Sequence, residues 1–281
     1  MTQHEVSSGT PILRIVILTY ESLFANLMTH RLIQARPGHV VGIVRSDCLV
    51  YGKSLPGGLW YLLRRTGLRF VGRKALELFQ SRATAIVFRL VGRTPKVPSL
   101  HEIQARYGVP VLGARDVNEA RTLAAMRAWQ PDLVVSIYLN QLIKPPVITL
   151  PRLGCLNIHP ALLPRNRGLF PYFWVLASGD HETGVTLHWV DTTFDTGHIL
   201  LQEAIPVRPG DTITSLAYAS AQVGARLLTQ GVDLIVAGAA PRIPQDERQA
   251  TYHSWPTPQD QRRFRQQGGR YGTLFDLARY M

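Results

Sequence analysis

The sequence predicts an α/β fold on a doubly wound, mostly parallel sheet, with an antiparallel hairpin and a small C-terminal extension. Three observations predict it. Short apolar runs rich in β-branched residues alternate with stretches of helical spacing through residues 12–158. Two later extended runs flank a short loop containing Gly and Asp, the pattern of an antiparallel pair. At 281 residues, 46% hydrophobic and 18% charged, the chain can bury a substantial core in one large domain.

The elements follow in order. Ile12–Leu18 reads as a buried parallel strand, because it is apolar on both faces. A helix follows over Ser22–Ala35, with Leu23, Leu27, His30 and Ile33 along one side. Strands are expected at 39–44 and 110–112, and a helix over Asn118–Trp129 with Asp116 as its N-cap. Pro131 leads into a strong strand, Leu133–Tyr138, and Leu156–Ile158 is a further short one. Gly184–Val190 and His198–Ala204 form the antiparallel pair. Thr212–Val236 is a long helix with Leu216, Val223, Leu227 and Leu234 inward. Beyond Pro241 the chain reads as polar and irregular, broken by Pro256, Pro258, Gly268 and Gly269. Strand–helix alternation of this kind is Rossmann-like. The expected division is a catalytic domain over 10–205 and a C-terminal helix with irregular extension over 206–281.

Composition excludes several classes. Cys48 and Cys155 have neither metal-ligand nor disulfide-framework spacing, so reduced thiols in a cytoplasmic protein are expected. Met1–Gly9 is polar and includes Glu5, which does not read as a cleavable leader. Apolar runs such as Asp132–Ile143 are interrupted by polar residues and fall short of a membrane-spanning length.

The net charge of +12 is unevenly placed: residues 1–100 carry 14 Lys/Arg against 4 Asp/Glu, whereas residues 101–281 carry 17 against 15. The source is the stretch 53–96, where ten basic side chains and one acid, Glu77, are interleaved with runs such as Leu59-Trp-Tyr-Leu-Leu. This stretch reads as an insertion of one or two amphipathic helices. It suits an anionic membrane surface or a protein contact, and equally a lid or the interface of a homodimer. A peripheral membrane location is the corresponding expectation. Charges mixed with large apolar side chains argue against nucleic acid as the partner.

Chemistry concentrates in Leu156-Asn-Ile-His-Pro-Ala-Leu-Leu-Pro-Arg-Asn-Arg-Gly (156–168), followed by runs at 183–190 and 194–202. Asn157 and His159 alternate on a strand and project to one side, at the carboxyl end where open α/β sheets bind ligands. Asp195 lies in the loop between the later runs and can fold back toward His159. Together they suit acyl transfer to an amine. A carboxamide and a protonated imidazole stabilise the oxyanion, and the imidazole exchanges protons with the attacking and leaving nitrogens. The carboxylate holds the imidazole in its charged form or relays a proton through water. No covalent nucleophile is needed. The cluster Asp180, His181, Glu182, His188, Asp191, His198 lacks metal-ligand spacing, so no metal is expected. His188 can instead orient the Asp195 loop.

These segments resemble the folate-dependent formyltransferase family, which includes methionyl-tRNA, glycinamide ribonucleotide and sugar-nucleotide N-formyltransferases. The pattern Asn-x-His-x-Ser-Leu-Leu-Pro is matched by Asn157 to Pro164, with Ala161 in place of Ser. The second pattern is matched by Gly184, Thr186, His188, Asp195 and Gly197. The resemblance implies a Rossmann-like fold, Asn157, His159 and Asp195 as the catalytic set, and 10-formyltetrahydrofolate as co-substrate without a metal. It also implies that the folate lies across the loop Asn140–Ile143, with Gln141, Leu142 and Ile143, and across Asp191–Asp195, with Thr192 and Phe194.

For the acceptor, Leu18-Thr-Tyr-Glu-Ser-Leu-Phe-Ala25 has no glycine and places Glu21 where a phosphate would sit, against glycinamide ribonucleotide. The stretch after Trp255 is shorter than the C-terminal domain of methionyl-tRNA enzymes, and the hydrolase branch adds an N-terminal domain not seen here. A small-molecule amine, most simply a nucleotide-linked amino sugar, is the expected acceptor. The tail Ala250–Asp260 resembles a stretch of the sugar and methionyl-tRNA enzymes. Tyr172, Trp174 and Arg167 are the expected acceptor contacts. A methionyl-tRNA formyltransferase-like enzyme lacking the C-terminal domain, a formyltetrahydrofolate hydrolase, and an inactive folate- or partner-binding protein are the alternatives.

Overall fold

The computed structural model describes residues 12–76, 79 and 96–272. Five parallel strands, β1 (Ile15–Thr19), β2 (Val40–Ser46), β3 (Val111–Ala114), β4 (Leu133–Ile137) and β5 (Cys155–His159), are extended by the antiparallel strands β7 (Glu182–Trp189) and β8 (Ile199–Pro206). The sheet order is β3-β2-β1-β4-β5-β7-β8. The chain winds outward from β1 to β3, then crosses to β4 and winds the other way. The crevice at such a reversal is where open α/β sheets bind ligands.

Both faces of the sheet are covered, which is why β1 and β4 are buried at every position and largely apolar. Ile15 and Ile17 point into one core with α1 (Leu23–Ala35), α3 (Leu100–Tyr107) and the long α7 (Ile213–Val236). Val16 and Leu18 point into the other, with α4 (Ala120–Ala128) and the single turn α5 (Pro145–Ile148). The core shared by β1 and α7 runs across the sequence boundary expected at 205/206. A third cluster joins α6 (Pro171–Ser178), the start of α7, and α8 (Pro258–Gln266), with the Phe173 and Phe264 rings stacked at 4.7 Å. A two-stranded parallel sheet of β6 (Arg167–Gly168) and β9 (Tyr252–His253) ties this side to the segment after β5.

Three expectations change. Asp116 does not cap α4; Glu119 holds the N-cap position without a side-chain bond, and Asp116 instead accepts from the Asn118 N–H in a local turn. The tail is not wholly irregular: Thr257 and Asp260 form a capping box that starts α8, and burial of Phe264 anchors it. The same device at Ser99 and Glu102, with Gly108 in a left-handed C-cap, makes α3, a helix not expected from the apolar spacing. Within 53–96, α2 (Leu55–Thr66) and further helical turns at 68–76 agree with the amphipathic reading; residues 77–78 and 80–95 lie outside the described residues. No helix among the described residues is long and apolar enough to cross a membrane.

Candidate active site

β5 delivers Asn157 and His159, two residues apart, at the carboxyl edge of the sheet. Its antiparallel neighbour β7 sets His188 opposite Asn157 and Thr186 opposite His159. The β7–β8 loop then returns Asp195, in a left-handed conformation (φ 57°), to the same spot. This loop depends on Gly197, where a Cβ would stand 1.8 Å from the Trp189 carbonyl oxygen. Gly184 serves a second part of the motif, because the Leu162 side chain packs where its Cβ would be.

One carboxylate oxygen gathers the cluster. Asp195 Oδ1 lies 3.3 Å from Asn157 Nδ2, 3.5 Å from His159 Nδ1 and 3.6 Å from His188 Nε2. Asp195 Oδ2 accepts the Gly168 backbone N–H at 2.8 Å. Burial alone would push this carboxyl up, but the charge of His159, the neighbouring His188 ring and the bond from the Gly168 amide reverse that and hold it well below the usual carboxylate range. Asp195 is therefore an anion at any physiological pH.

The imidazoles are oriented by backbone carbonyls. His188 Nδ1 donates to Trp189 O at 2.8 Å, which leaves Nε2 to accept from Asn157 Nδ2 at 3.0 Å. Both amide hydrogens of Asn157 are thus directed at His188 and Asp195. His159 Nε2 donates to Asn166 O at 2.9 Å while Nδ1 faces the carboxylate, so both ring nitrogens look at oxygen acceptors.

Two supports hold the cluster. The Thr186 hydroxyl donates to Ala161 O and accepts from Leu163 N and Gln202 Nε2, which fastens the turn after His159. Ala161 is fully buried, and its carbonyl supplies this contact whatever its side chain. The second support comes from far along the chain. Gln245 Nε2 donates at 2.8 Å to both Asp195 O and Gly197 O, and its Oε1 accepts from Arg167 Nη2 at 2.7 Å. Arg167 also reaches both carboxylate oxygens of Glu247 and is itself buried.

The Arg167 guanidinium is therefore turned into the protein, onto Gln245 and Glu247. Tyr172 is likewise buried, its hydroxyl 2.5 Å from that of Tyr138. The Trp174 indole donates to Leu169 O and stacks on His253 at 4.4 Å, half-buried in an aromatic wall. These three residues belong to the frame of the site. Among the residues expected to face folate, the Gln141 side chain is spent on Val117 N, Ser46 Oγ and Arg115 O, so it fixes the loop after β4 to the end of β2. Ile143 is buried in the core, Leu142 is half-buried, and Thr192 and Phe194 are exposed on the facing loop. Among the described residues no group of three His, Cys, Asp or Glu is arranged to hold a metal ion.

A family model described as formyl transferase matches residues 74–232, which contain the whole Asn157–His159–Asp195 cluster. The chain belongs to the formyl transferase family. Among its relatives, the methionyl-tRNA formyltransferase of Moorella thermoacetica is 38% identical over 163 residues, covering 57% of this chain and 52% of that protein. That of Synechocystis is 39% identical over 164 residues, covering 57% and 50%. The chain spans about half the length of the curated relatives it matches. The fold is shared with the N-formyltransferase from Helicobacter canadensis solved with folinic acid and dTDP-3-aminofucose (TM-score 0.56, 16% identity, 88% of this chain and 72% of that one). It is shared equally with glycinamide ribonucleotide transformylase 1 from Symbiobacterium toebii (TM-score 0.56, 22% identity, 85% and 99%).

Sequence reasoning missed Asn166, Gln245 and Glu247. Asn166 acts through its carbonyl, to which any residue type could contribute. Gln245 and Glu247 are ordinary polar residues 48 to 80 positions from the residues they hold, and no spacing rule points at them.

Proposed function

We propose that this formyl transferase family member is a 10-formyltetrahydrofolate-dependent N-formyltransferase whose acceptor is the primary amine of a small molecule, most simply a nucleotide-linked amino sugar. The observation that carries the chemistry is a single buried carboxylate oxygen within 3.6 Å of a carboxamide and two imidazoles. In this reading the amine nitrogen attacks the formyl carbon and the carbonyl pair moves onto oxygen. His159 and Asn157 stabilise that oxyanion, Asn157 by exchanging its 3.3 Å contact with Asp195 for the new acceptor. The bond from the formyl carbon to the folate nitrogen then breaks. A proton leaves the amine and one arrives on the folate nitrogen, so the products are the N-formyl amide and tetrahydrofolate. His159 moves these protons, and Asp195 keeps its ring oriented and balances its charge.

The folate is assigned to the cleft edge between the loop 140–143 and the loop 191–195. Half-buried Leu142 and exposed Phe194 give apolar walls for the pterin, and backbone groups rather than the Gln141 side chain give its polar contacts. The small-amine reading is supported by Glu21 at the start of α1. Its carboxylate accepts from Leu100 N and pairs with Arg45, so an anion already occupies the place at that helix end where a substrate phosphate would sit.

A second reading, a methionyl-tRNA acceptor, is favoured by the identity of the sequence relatives. One assay separates the two: tetrahydrofolate release from 10-formyltetrahydrofolate, with a panel of nucleotide amino sugars, with methionyl-tRNA, and with no amine. Release dependent on an amino sugar supports the proposal. Release only with methionyl-tRNA transfers the assignment to that branch, and release without any amine identifies a hydrolase.

A further inference from the structure

The helix α2 carries two faces. Gly58, Leu62 and Thr66, spaced by four, point inward. Further on, the Phe70 ring packs edge-on against Phe170 and Trp255, and Gln261 Nε2 bonds Thr66 O, so the segment is anchored to the aromatic side of the molecule. The outward face is apolar where a soluble surface would be polar. Leu55 is 70% exposed, Leu59 43% and Trp60 60%, and Leu68 beyond the helix end is 76% exposed. Leu55 and Leu59 stand one turn apart, with Trp60 beside them.

Along the segment that carries this patch every charge has one sign. From Cys48 to Leu76 there is no acidic residue, while Lys53, Arg64, Arg65 and Arg69 are all exposed. The Arg64 guanidinium lies over the Trp60 ring at 4.8 Å, which keeps the cation level with the apolar surface. Two leucines and a tryptophan ringed by four cations match the interface of an anionic bilayer, where the indole and leucines enter the headgroup boundary and the cations meet phosphates. A phosphate backbone would engage the cations and leave the apolar side chains in water, and an acidic protein surface would leave the indole without a matching pocket in most poses. We propose that the outward face of α2 docks the enzyme on an anionic lipid surface. Phe70, four residues beyond α2, packs on Phe170, two residues after the Gly168 whose N–H binds Asp195 Oδ2, so a docked α2 holds the candidate active site near the lipid.

The test uses the full-length protein and floated vesicles of phosphatidylcholine alone or of equimolar phosphatidylcholine and phosphatidylglycerol. Wild type should float with the anionic vesicles and not with the neutral ones. The exposed double substitution Leu59→Glu/Trp60→Glu should lower partitioning by roughly two orders of magnitude. Arg64→Gln/Arg65→Gln should lower it about tenfold or more. Thermal melts of both variants should match wild type, because the altered side chains are exposed. No flotation of wild type overturns the proposal. So does flotation that survives the Leu59/Trp60 change while falling with the arginines, since that is plain charge adhesion and would extend to RNA. Loss of self-association in light scattering, without any vesicle binding, would overturn it in favour of a second copy. None of these outcomes depends on formyl transfer, so the docking face and the catalytic reading stand or fall separately.

Discussion

Replacing Gln245 by Ala removes the tie between the C-terminal segment and the Asp195 loop. Four bonds go: two at 2.8 Å to Asp195 O and Gly197 O, and two to the Arg167 guanidinium at 2.7 and 3.2 Å. A neutral hydrogen bond contributes about 1 kcal/mol net and one to a charged group about 1.5–3 kcal/mol. Gln245 is half-buried, so water replaces part of this, and Arg167 keeps Glu247. A net loss of roughly 2–3 kcal/mol is expected, or a fall in Tm of about 4–10 °C for a chain of this size. The larger effect is on the site, where a displacement of about 1 Å of a catalytic group can cost ~100-fold in rate. Gln245→Ala should therefore lower kcat/KM for tetrahydrofolate release by about 10- to 100-fold. Gln245→Glu separates the two halves of the tie. It keeps an acceptor for Arg167 and so recovers most of the Tm, but it sets a carboxylate against the carbonyls of Asp195 and Gly197 and leaves the rate low. If Gln245→Glu restored both quantities, or if Gln245→Ala changed neither, the Asp195 loop would not depend on this residue.

Asp195→Asn should abolish measurable turnover while leaving the protein folded at neutral pH. Because the folded-state carboxyl is depressed, its contribution to stability is complete above the ordinary carboxylate range and is lost as pH falls below about 4. Urea melts of wild type and Asp195→Asn should therefore differ by a constant amount from pH 8 to about 5 and converge below. Gly197→Ala places a methyl on the Trp189 carbonyl oxygen and should force the β7–β8 turn open, costing about 2–4 kcal/mol of stability together with activity; a native-like melt would show that the turn relaxes freely. Burial pushes the Cys155 thiol up to about 12, so native protein should resist alkylation at that residue near pH 8, as judged by peptide mass mapping.

The parallel sheet, the hairpin and the meeting of Asn157, His159 and Asp195 were legible because each rests on a local pattern. Largely apolar runs mark β1 and β4, and two-residue alternation puts Asn157 and His159 on one side. Helices α3 and α8 were missed where apolar spacing was consulted and capping was not. Ser99-x-x-Glu102 and Thr257-x-x-Asp260 each mark a start that sequence alone could have found. The partners of the expected acceptor contacts were not legible. Gln245 and Glu247 hold Arg167, His253 stacks on Trp174 and Tyr138 meets Tyr172, and pairings that distant leave no local trace. Gln141 belongs with them: its amide is consumed by the Ser46 hydroxyl of β2 and by backbone groups of Arg115 and Val117 after β3.

The central claim is that the chain moves a formyl group from folate to an amine through Asn157, His159 and Asp195. Incubation with 10-formyltetrahydrofolate carrying a carbon-labelled formyl group and the amino-sugar panel tests it most directly, with products resolved by mass. The account predicts label in an N-formyl amide of the acceptor with wild type and none with Asp195→Asn. Label recovered as formate with wild type, or undiminished transfer by Asp195→Asn, would contradict it.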